Sequence, residues 1–295
     1  MNGFGHTPVM VKEVVHFLKC GPGNCYIDGT VGGGGHARAI LEASSPDGRL
    51  IGIDRDPDAV LAAREALREF GSRVQILSGT FSFIGNIIKQ AGVEDVDGII
   101  LDLGVSSHQI DLSSRGFAFG SEGPLDMRMD PGSPVSAADV VNGSDEEELA
   151  RIIFELGQER LARRIAKRII ERRKKAPIVT TKELADVVLR SLPPNVKRGR
   201  IHPATRTFQA LRIFVIDELG ELERFLKVAP GILRRNGRIV VISYHSLEDR
   251  LVKQAFKKMG SGYIIVTKKV IMPSDDEIRK NPRARSAKLR VMERE

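Results

Sequence analysis

The chain has 295 residues, of which 41% are hydrophobic, so it can build a large core and is not an intrinsically disordered protein. Its net charge of +8 favours a polyanionic partner, nucleic acid before an acidic membrane surface, although a soluble enzyme can also be basic. No apolar run approaches the ~20 residues needed to cross a bilayer and no signal pattern is present, so we expect a cytoplasmic protein without membrane contact. The two cysteines form no CxxC pair and no Cys/His cluster has zinc spacing, so we expect no metal site.

The first third of the chain alternates short apolar runs with helical patterns. Such runs are typical of strands buried on both faces of a parallel sheet, and their order predicts right-handed crossovers in an α/β domain. Asp56 is a suitable cap and Pro57 a suitable first residue for the helix that precedes the third run. The predicted strands are Cys25–Asp28, Arg49–Asp54, Val74–Leu77 and Gly98–Asp102.

Four consecutive glycines, Gly32–Gly35, lie between the first strand and a helical pattern. They let the backbone approach a nucleotide at a helix N-terminus, although a tight turn alone would also use them. The acidic residue before this loop helps to choose between two cofactors. Asp28 would repel the pyrophosphate of a nicotinamide dinucleotide, whereas it suits the amino group of S-adenosylmethionine, which we therefore favour. The other interpretation of Asp28 is a helix cap or a loop-stabilising residue.

Two more carboxylates and one aromatic residue follow later strands. Asp54 ends the second strand, where a carboxylate suits a ribose diol, and Asp102 ends the fourth. Because ligands of open α/β sheets bind beyond the carboxyl ends of the strands, we expect Asp28, Asp54 and Asp102 to converge, together with Phe81. Phe81 follows the third strand and is either a cover for an adenine ring or an ordinary core residue.

A helical segment interrupts the α/β pattern. We predict a helical domain at residues 113–205 inserted into an α/β domain of residues 1–112 and 206–295. Capping boxes are predicted for Ser144 with Glu147 and for Thr180 with Glu183.

The α/β pattern returns after the insertion and completes a predicted seven-stranded sheet. Thr207–Leu233 is predicted as one long amphipathic helix or a helix pair, and Arg238–Ser243 as a buried strand. Tyr263–Ile271 and Ala287–Met292 are predicted as two final strands at an antiparallel edge.

At these residues the chain resembles a known family, the bacterial small-subunit ribosomal RNA cytosine-N4 methyltransferases called RsmH, formerly MraW. The resemblance runs almost from end to end. It is carried by His6–Val9, Tyr26–Thr30, Gly34–His36, Ile53–Pro57, Asp97–Ser107, Arg115–Phe117, Gly123–Asp130, Lys182–Ala185, His202–Ala210, His245–Arg250 and Asn281–Ser286.

The resemblance implies a Rossmann-like methyltransferase fold with an inserted helical RNA-recognition domain. It implies an S-adenosylmethionine-dependent enzyme that methylates the exocyclic N4 of one cytidine in the decoding region of 16S RNA, with the 30S subunit as partner. His36 and Gln109 are cofactor contacts on the resemblance alone. The full implied set of cofactor contacts is Gly34, Gly35, His36, Asp54, Phe81, Asp102 and Gln109.

The catalytic group is not marked by a familiar motif. Many amino-methyltransferases carry Asn/Asp-Pro-Pro-Tyr/Phe after the fourth strand, whereas Asp102–Val105 reads Asp-Leu-Gly-Val, without a stacking aromatic. Asp102 is the first candidate acceptor for the target amine, although it can instead serve the cofactor only. His245 is the second candidate, with Tyr244 as a stacking surface; the alternative for His245 is a structural hydrogen bond.

Basic residues in the insertion are candidates for RNA contacts, because phosphate binding requires clustered Lys and Arg. A solvated basic helix face is the alternative. The candidates are Arg164, Lys167, Arg168, Arg172, Lys197, Arg198, Arg200 and Arg206. Arg163 belongs to the same basic cluster on one helix as the first four.

Three other functions stay open at this stage. They are a methyltransferase for a small molecule or protein, a non-catalytic ribosome assembly factor that binds S-adenosylmethionine, and a dehydrogenase. The sequence leaves the oligomeric state open, with a homodimer among the alternatives.

Overall fold

A computed structural model describes residues 8–193 and 202–295. The described residues divide into two compact units. The sheet unit contains those up to Gly104 together with Leu219–Glu295, and the helical unit contains those of Val105–Glu218.

The sheet unit contains one seven-stranded sheet with the order β3-β2-β1-β4-β5-β7-β6, as predicted in strand number. Strands β1 to β5 pair in parallel, and β7 pairs antiparallel with both β5 and β6. The strands are β1 (Cys25–Asp28), β2 (Arg49–Asp54), β3 (Val74–Ser78), β4 (Val96–Asp102), β5 (Leu233–Ser243), β6 (Tyr263–Ile265) and β7 (Lys288–Arg294).

The central strands are apolar at successive positions because both faces of the sheet are covered. Tyr26 packs into the core on one face and Ile27 into the core on the other. The same alternation separates Val240 from Val241 on β5. Burial on both faces explains why these strands read as continuous apolar runs. It also leaves the polar residues of β1, β2 and β4 at the strand ends.

Helices surround this sheet and form most of the helical unit. The α3 helix begins as predicted, since the Asp56 side chain accepts the Asp58 N–H and Pro57 is the first residue. In chain order the helices are α1 (Val11–Leu18), α2 (Gly35–Ala43), α3 (Pro57–Ala66), α4 (Ile84–Gln90), α5 (Ser107–Asp111), α6 (Ala137–Gly143), α7 (Glu146–Glu155), α8 (Ala162–Arg173), α9 (Thr181–Ser191), α10 (Thr205–Ile216), α11 (Glu218–Val228), α12 (Ser246–Lys258) and α13 (Asp275–Lys280). None of the helices among the described residues combines the length and apolar character needed to cross a membrane.

The helical unit is longer than the predicted insertion of residues 113–205, because it begins at Val105 and ends at Glu218. The reason is the packing of α10. Its apolar residues Phe208, Leu211 and Ile216 enter the core of the helical unit. The predicted long segment Thr207–Leu233 is a helix pair, α10 and α11. The boundary between the two units lies at the start of α11.

One predicted capping box is present and the other is wrong. Thr180 and Glu183 form the reciprocal bonds of a capping box at the start of α9. The N-cap of α7 is Asp145 rather than Ser144, and its carboxylate accepts the Glu148 N–H at 2.8 Å. A carboxylate there also interacts favourably with the positive end of the helix dipole.

The last two strands form the predicted antiparallel edge of the sheet but differ from the prediction in length. The strand predicted at Tyr263–Ile271 is reduced to β6, and Ile271 forms only an isolated bridge to Leu289. The strand predicted at Ala287–Met292 is β7, which pairs antiparallel with β5 and with the outermost strand, β6.

Candidate active site

Three aspartates end three neighbouring strands of the sheet unit. Asp28, Asp54 and Asp102 are the last residues of β1, β2 and β4, and β1 pairs with both other strands. The charges of Asp54 and Asp102 both act on the pKa of Asp28, so the three groups are close in space. We call them the carboxylate edge. The predicted convergence of these residues is therefore present in the structure.

Asp28 is the most deeply buried member of the carboxylate edge. Its side chain is 1% exposed, and its Oδ1 accepts the Thr30 N–H at 3.1 Å. Burial raises the pKa of Asp28 to about 7, against the opposing influences of His36 and the Thr30 N–H. Asp28 therefore stabilises the turn that follows β1, in agreement with the loop-stabilising alternative; its contact with a cofactor amino group stays a prediction.

Asp54 connects β2 to the glycine loop. Its Oδ2 accepts the Gly32 N–H at 2.9 Å, and its Oδ1 accepts the Asp56 N–H at 3.0 Å. Burial raises the pKa of Asp54 to about 6, although both N–H groups favour the carboxylate form. These two bonds fix the carboxylate beside the loop.

Backbone conformation and close packing explain two glycines of the glycine loop. Gly34 has φ +85°, in the left-handed region, and is the residue before α2. A Cβ atom on Gly35 would lie 2.8 Å from Cγ of Pro8, so a side chain there would clash with the segment before α1. The loop is thus closely packed at Gly35, and it leads directly into the N-terminus of α2.

His36 is a buried member of this site that sequence reasoning alone did not select. Its Nε2 lies 2.8 Å from the carbonyl oxygen of Val9, and its Nδ1 lies 3.8 Å from Oδ2 of Asp102. Burial lowers the pKa of His36, which favours the neutral ring. Because a carbonyl oxygen only accepts, Nε2 donates its proton to Val9, and Nδ1 is the ring nitrogen on the side of Asp102.

Asp102 is held by partners from two other segments. Its backbone N–H donates to Oγ1 of Thr30 at 2.7 Å, and its Oδ1 accepts the hydroxyl of Tyr244 at 2.8 Å. Sequence reasoning named Tyr244 only as a stacking surface and missed Thr30. The feature that brings Tyr244 to Asp102 is the pairing of Asp102 with Ile242, which lies two residues before Tyr244. This pairing belongs to the tertiary structure, so the sequence alone does not reveal it.

His245 serves as the N-cap of α12. Its Nδ1 accepts the Glu248 N–H at 3.3 Å, while Oε2 of the buried Glu248 accepts the N–H groups of Tyr244 and His245. These bonds support the structural alternative for His245, and its catalytic role stays a prediction.

Phe81 has contacts on the core side. It begins a short 3₁₀ helix after β3 and packs edge-on against Phe225 with the ring centroids 5.8 Å apart. The ring is only half-buried, so both interpretations of Phe81 stay open.

Gln109 lies in the helical unit. There it forms a capping box with Ser106 at the start of α5, with Ser106 N–H donating to its Oε1 at 2.9 Å. Its contact with a cofactor stays a prediction.

The basic candidates have unequal environments. Arg163, Arg164, Lys167 and Arg168 are exposed on α8, opposite a buried apolar stripe, and we call them the basic face of α8. Arg168 pairs with Glu171 at 2.8 Å. The other three have no acidic partner within residues 8–193 and 202–295.

Two further basic candidates are already engaged. Arg172 bonds to Glu183 at 3.0 Å, and Arg206 lies 3.7 Å from Glu159. Three candidates, Lys197, Arg198 and Arg200, lie outside the described residues.

The glycine loop and carboxylate edge of the sheet unit occur here in a chain that matches one family over nearly its whole length. A model of the MraW methylase family matches residues 3–295. The chain belongs to this family. Its members are S-adenosylmethionine-dependent methyltransferases.

Two relatives of the family match the full chain. A ribosomal RNA small subunit methyltransferase H from Geobacter sulfurreducens is 52% identical and the match covers 99% of both chains. A protein of the same name from Geotalea uraniireducens is 47% identical over 100% of both chains.

Proposed function

We propose that this protein transfers the methyl group of S-adenosylmethionine to the exocyclic N4 of a cytidine in the decoding region of small-subunit ribosomal RNA, within the 30S subunit. The observation that carries the proposal is the carboxylate edge beside the glycine loop in a chain of this family. Relatives named as small-subunit ribosomal RNA methyltransferases support the substrate class. A ribosomal substrate also supports a cytoplasmic location.

The residues of the carboxylate edge fit the cofactor. Asp54 is fixed at the end of β2, the position from which a carboxylate binds a ribose diol in related folds. The sulfonium and ammonium groups of S-adenosylmethionine are cations, and a cluster of carboxylates stabilises them in a site of low dielectric. We propose Gly34, Gly35, His36, Asp54, Phe81, Asp102 and Gln109 as cofactor contacts, with Asp28 acting on the amino group.

When bound, S-adenosylmethionine supplies an electrophilic methyl group, and its loss leaves S-adenosylhomocysteine. In the transfer the bond from sulfur to the methyl carbon would break as a bond from N4 to that carbon forms, and the proton that N4 loses would pass to solvent water. The cytosine amine is a poor nucleophile because its lone pair is delocalised into the ring. Productive geometry places N4 at about 3–3.5 Å from the methyl carbon.

The role we propose for Asp102 is to accept an N–H of this amine. A hydrogen bond to a carboxylate orients the amine and raises electron density on N4 as the new bond forms. The bonds from Thr30 and Tyr244 hold Asp102 in place for that task.

The proposed RNA contacts are made by the helical unit. The basic face of α8 is exposed and carries three side chains without an acidic partner among the described residues, so these cations can meet phosphates at little cost. The target base also has to leave any stacked helix to reach a methyltransferase site.

The test uses small subunits from a strain that lacks this protein. Purified protein and S-adenosylmethionine labelled in the methyl group are added, and the RNA is digested to nucleosides. We expect label in N4-methylcytidine from the decoding region, and none when the subunits come from the parent strain, since their site is already methylated. Label in another nucleoside would overturn the N4 assignment. An absence of label in both subunits and stripped RNA would favour the non-catalytic assembly factor.

A further inference from the structure

The segment after β5 places an aromatic residue at the end of β4. The hydroxyl of Tyr244 donates to Oδ1 of Asp102 at 2.8 Å. Its ring is adjacent to Gly104, two residues after Asp102, because a Cβ atom on Gly104 would be 3.6 Å from Cδ2 of Tyr244. The segment after β4 has no aromatic of its own between Asp102 and Val105, so this one is supplied by the neighbouring strand.

The position of Tyr244 is itself fixed. Its backbone N–H donates to Oε2 of Glu248 at 2.9 Å, and the same oxygen accepts the His245 N–H at 3.2 Å. Glu248 is 1% exposed and belongs to the first turn of α12. The tyrosine is therefore anchored to a helix terminus and has little freedom to move away from Asp102.

In the hydrogen bond between Tyr244 and Asp102, the tyrosine is the donor. Burial and the neighbouring Asp102 carboxylate raise the pKa of Tyr244 well above its ordinary value, so the phenol keeps its proton. A protonated phenol that donates to Oδ1 requires that oxygen to accept, and the charged form of Asp102 is stabilised by such a donor. The bond engages Oδ1, and Oδ2 is the oxygen on the side of His36.

We propose that Tyr244 is a positioning residue, which holds the Asp102 carboxylate in the orientation that receives an N–H donor of the cofactor or of the target cytosine. This inference rests on the proposed function for the identity of the donor. A carboxylate offers about four lone-pair sites, so Asp102 can accept a ligand N–H while it keeps the bond to Tyr244. In this arrangement Tyr244 acts through Asp102 and does not touch the reacting atoms.

The first experiment removes only the hydroxyl, with Tyr244→Phe, and uses Tyr263→Phe as the matched control. Tyr263 also donates its hydroxyl within the sheet unit, to the carbonyl oxygen of Pro230 at 3.2 Å. The affinity for S-adenosylhomocysteine is measured by calorimetry, and kcat is measured with undermethylated small subunits. We expect Tyr244→Phe to lower one of the two by about 10- to 100-fold, the range for a hydrogen bond to a charged group. A weaker affinity assigns the donor to the cofactor, and a lower kcat at unchanged affinity assigns it to the cytosine.

Unchanged affinity and kcat, within the variation of Tyr263→Phe, would overturn the inference. Failure of the proposed function is distinguishable from failure of this inference. A wild-type protein that methylates no ribosomal RNA would defeat the proposed function, whereas the affinity measurement needs no RNA and still tests Tyr244.

A second experiment separates positioning from a general loss of structure. If Tyr244 acts through Asp102, the double variant Tyr244→Phe with Asp102→Asn is no worse than Asp102→Asn alone. Losses that multiply would show that Tyr244 acts independently of Asp102, and would overturn the inference. Thermal unfolding of each variant identifies any variant that fails to fold. In that case the single variant Asp102→Asn and the double variant are compared at a lower temperature by their affinity for S-adenosylhomocysteine.

Discussion

The carboxylate edge and the basic face of α8 use charge in opposite ways. Asp28 and Asp54 are held by backbone N–H groups, and burial raises the pKa of each. The cations of α8 project into solvent, and most have no acidic partner among the described residues. Buried, fixed carboxyl groups suit chemistry that depends on tenths of an ångström, whereas exposed, mobile charges suit a phosphate backbone of variable shape. Changes at the first region should alter cofactor binding and turnover, and changes at the second should alter RNA affinity.

The largest effect is expected at the end of β4. Asp102→Asn keeps the shape of the side chain but removes its charge, so we expect kcat for methyl transfer to fall by about 100-fold or more. The measurement is labelled methyl incorporation into undermethylated small subunits. Asp95→Asn is the control, because Asp95 belongs to the loop before β4 and makes an exposed ion pair with Arg234 at 2.5 Å. Equal activity of the two variants would remove Asp102 from the proposed mechanism.

The pH dependence of stability should report Asp28. Its side chain stays protonated in the folded protein up to about pH 7, whereas the ordinary value is 3.8. Between these values Asp28 binds more protons in the folded state than in the unfolded state, so its contribution to the free energy of unfolding falls as the pH rises and levels off above pH 7. The fall is on the order of 1–4 kcal/mol. Urea unfolding of Asp28→Asn should show a flatter profile and greater stability at high pH.

Asp47→Asn is the control for this profile, because Asp47 is exposed and also accepts a backbone N–H, from Gly23 at 2.8 Å. Asp54 contributes in the same direction, so the Asp28→Asn profile should flatten without becoming level. An Asp28→Asn profile that runs parallel to the wild-type profile across this pH range would contradict the buried state of Asp28.

The basic face of α8 should control RNA affinity. The triple variant Arg163→Gln, Arg164→Gln, Lys167→Gln should bind small subunits about 10-fold more weakly. The slope of log affinity against log salt concentration should become shallower by roughly 0.7–0.9 for each phosphate that is no longer neutralised. The affinity of the variant for S-adenosylhomocysteine should not change. Filter binding at several salt concentrations measures both the RNA affinity and its salt dependence.

A second triple variant separates local contacts from net charge. Lys253→Gln, Lys257→Gln and Lys258→Gln remove the same charge from exposed positions of α12. If both triple variants weaken RNA binding equally, long-range attraction by the net charge is sufficient and α8 has no special role.

The smallest effects concern helix caps in the helical unit. Asp145→Ala and Thr180→Ala should each cost about 1 kcal/mol of the free energy of unfolding, because each removes an N-cap acceptor. Ser144→Ala should change stability by less than about 0.5 kcal/mol. Denaturant unfolding compares the three variants, and an equal loss for Ser144→Ala would place the start of α7 one residue earlier.

The positions of the parallel strands and of their terminal carboxylates were predictable from local sequence. An apolar run that ends in aspartate predicts a buried strand with a charge at its end, and Asp28, Asp54 and Asp102 all follow this pattern. The bond between Tyr244 and Asp102 was not predictable, because the two residues are 142 positions apart and meet only when β5 pairs with β4.

The sequence by itself determined which segments form the parallel strands and where the glycine loop lies, because apolar periodicity and glycine conformation are local properties. Its motifs also determined which family the chain resembles. Only the tertiary structure decided the order of the strands, the place of β7 within the sheet and the inclusion of α10 in the helical unit. It also decided that Asp28 is buried, that His245 caps α12 and that Tyr244 holds Asp102. These features depend on which distant segments pack together, and long-range packing is not encoded in the pattern of any single segment.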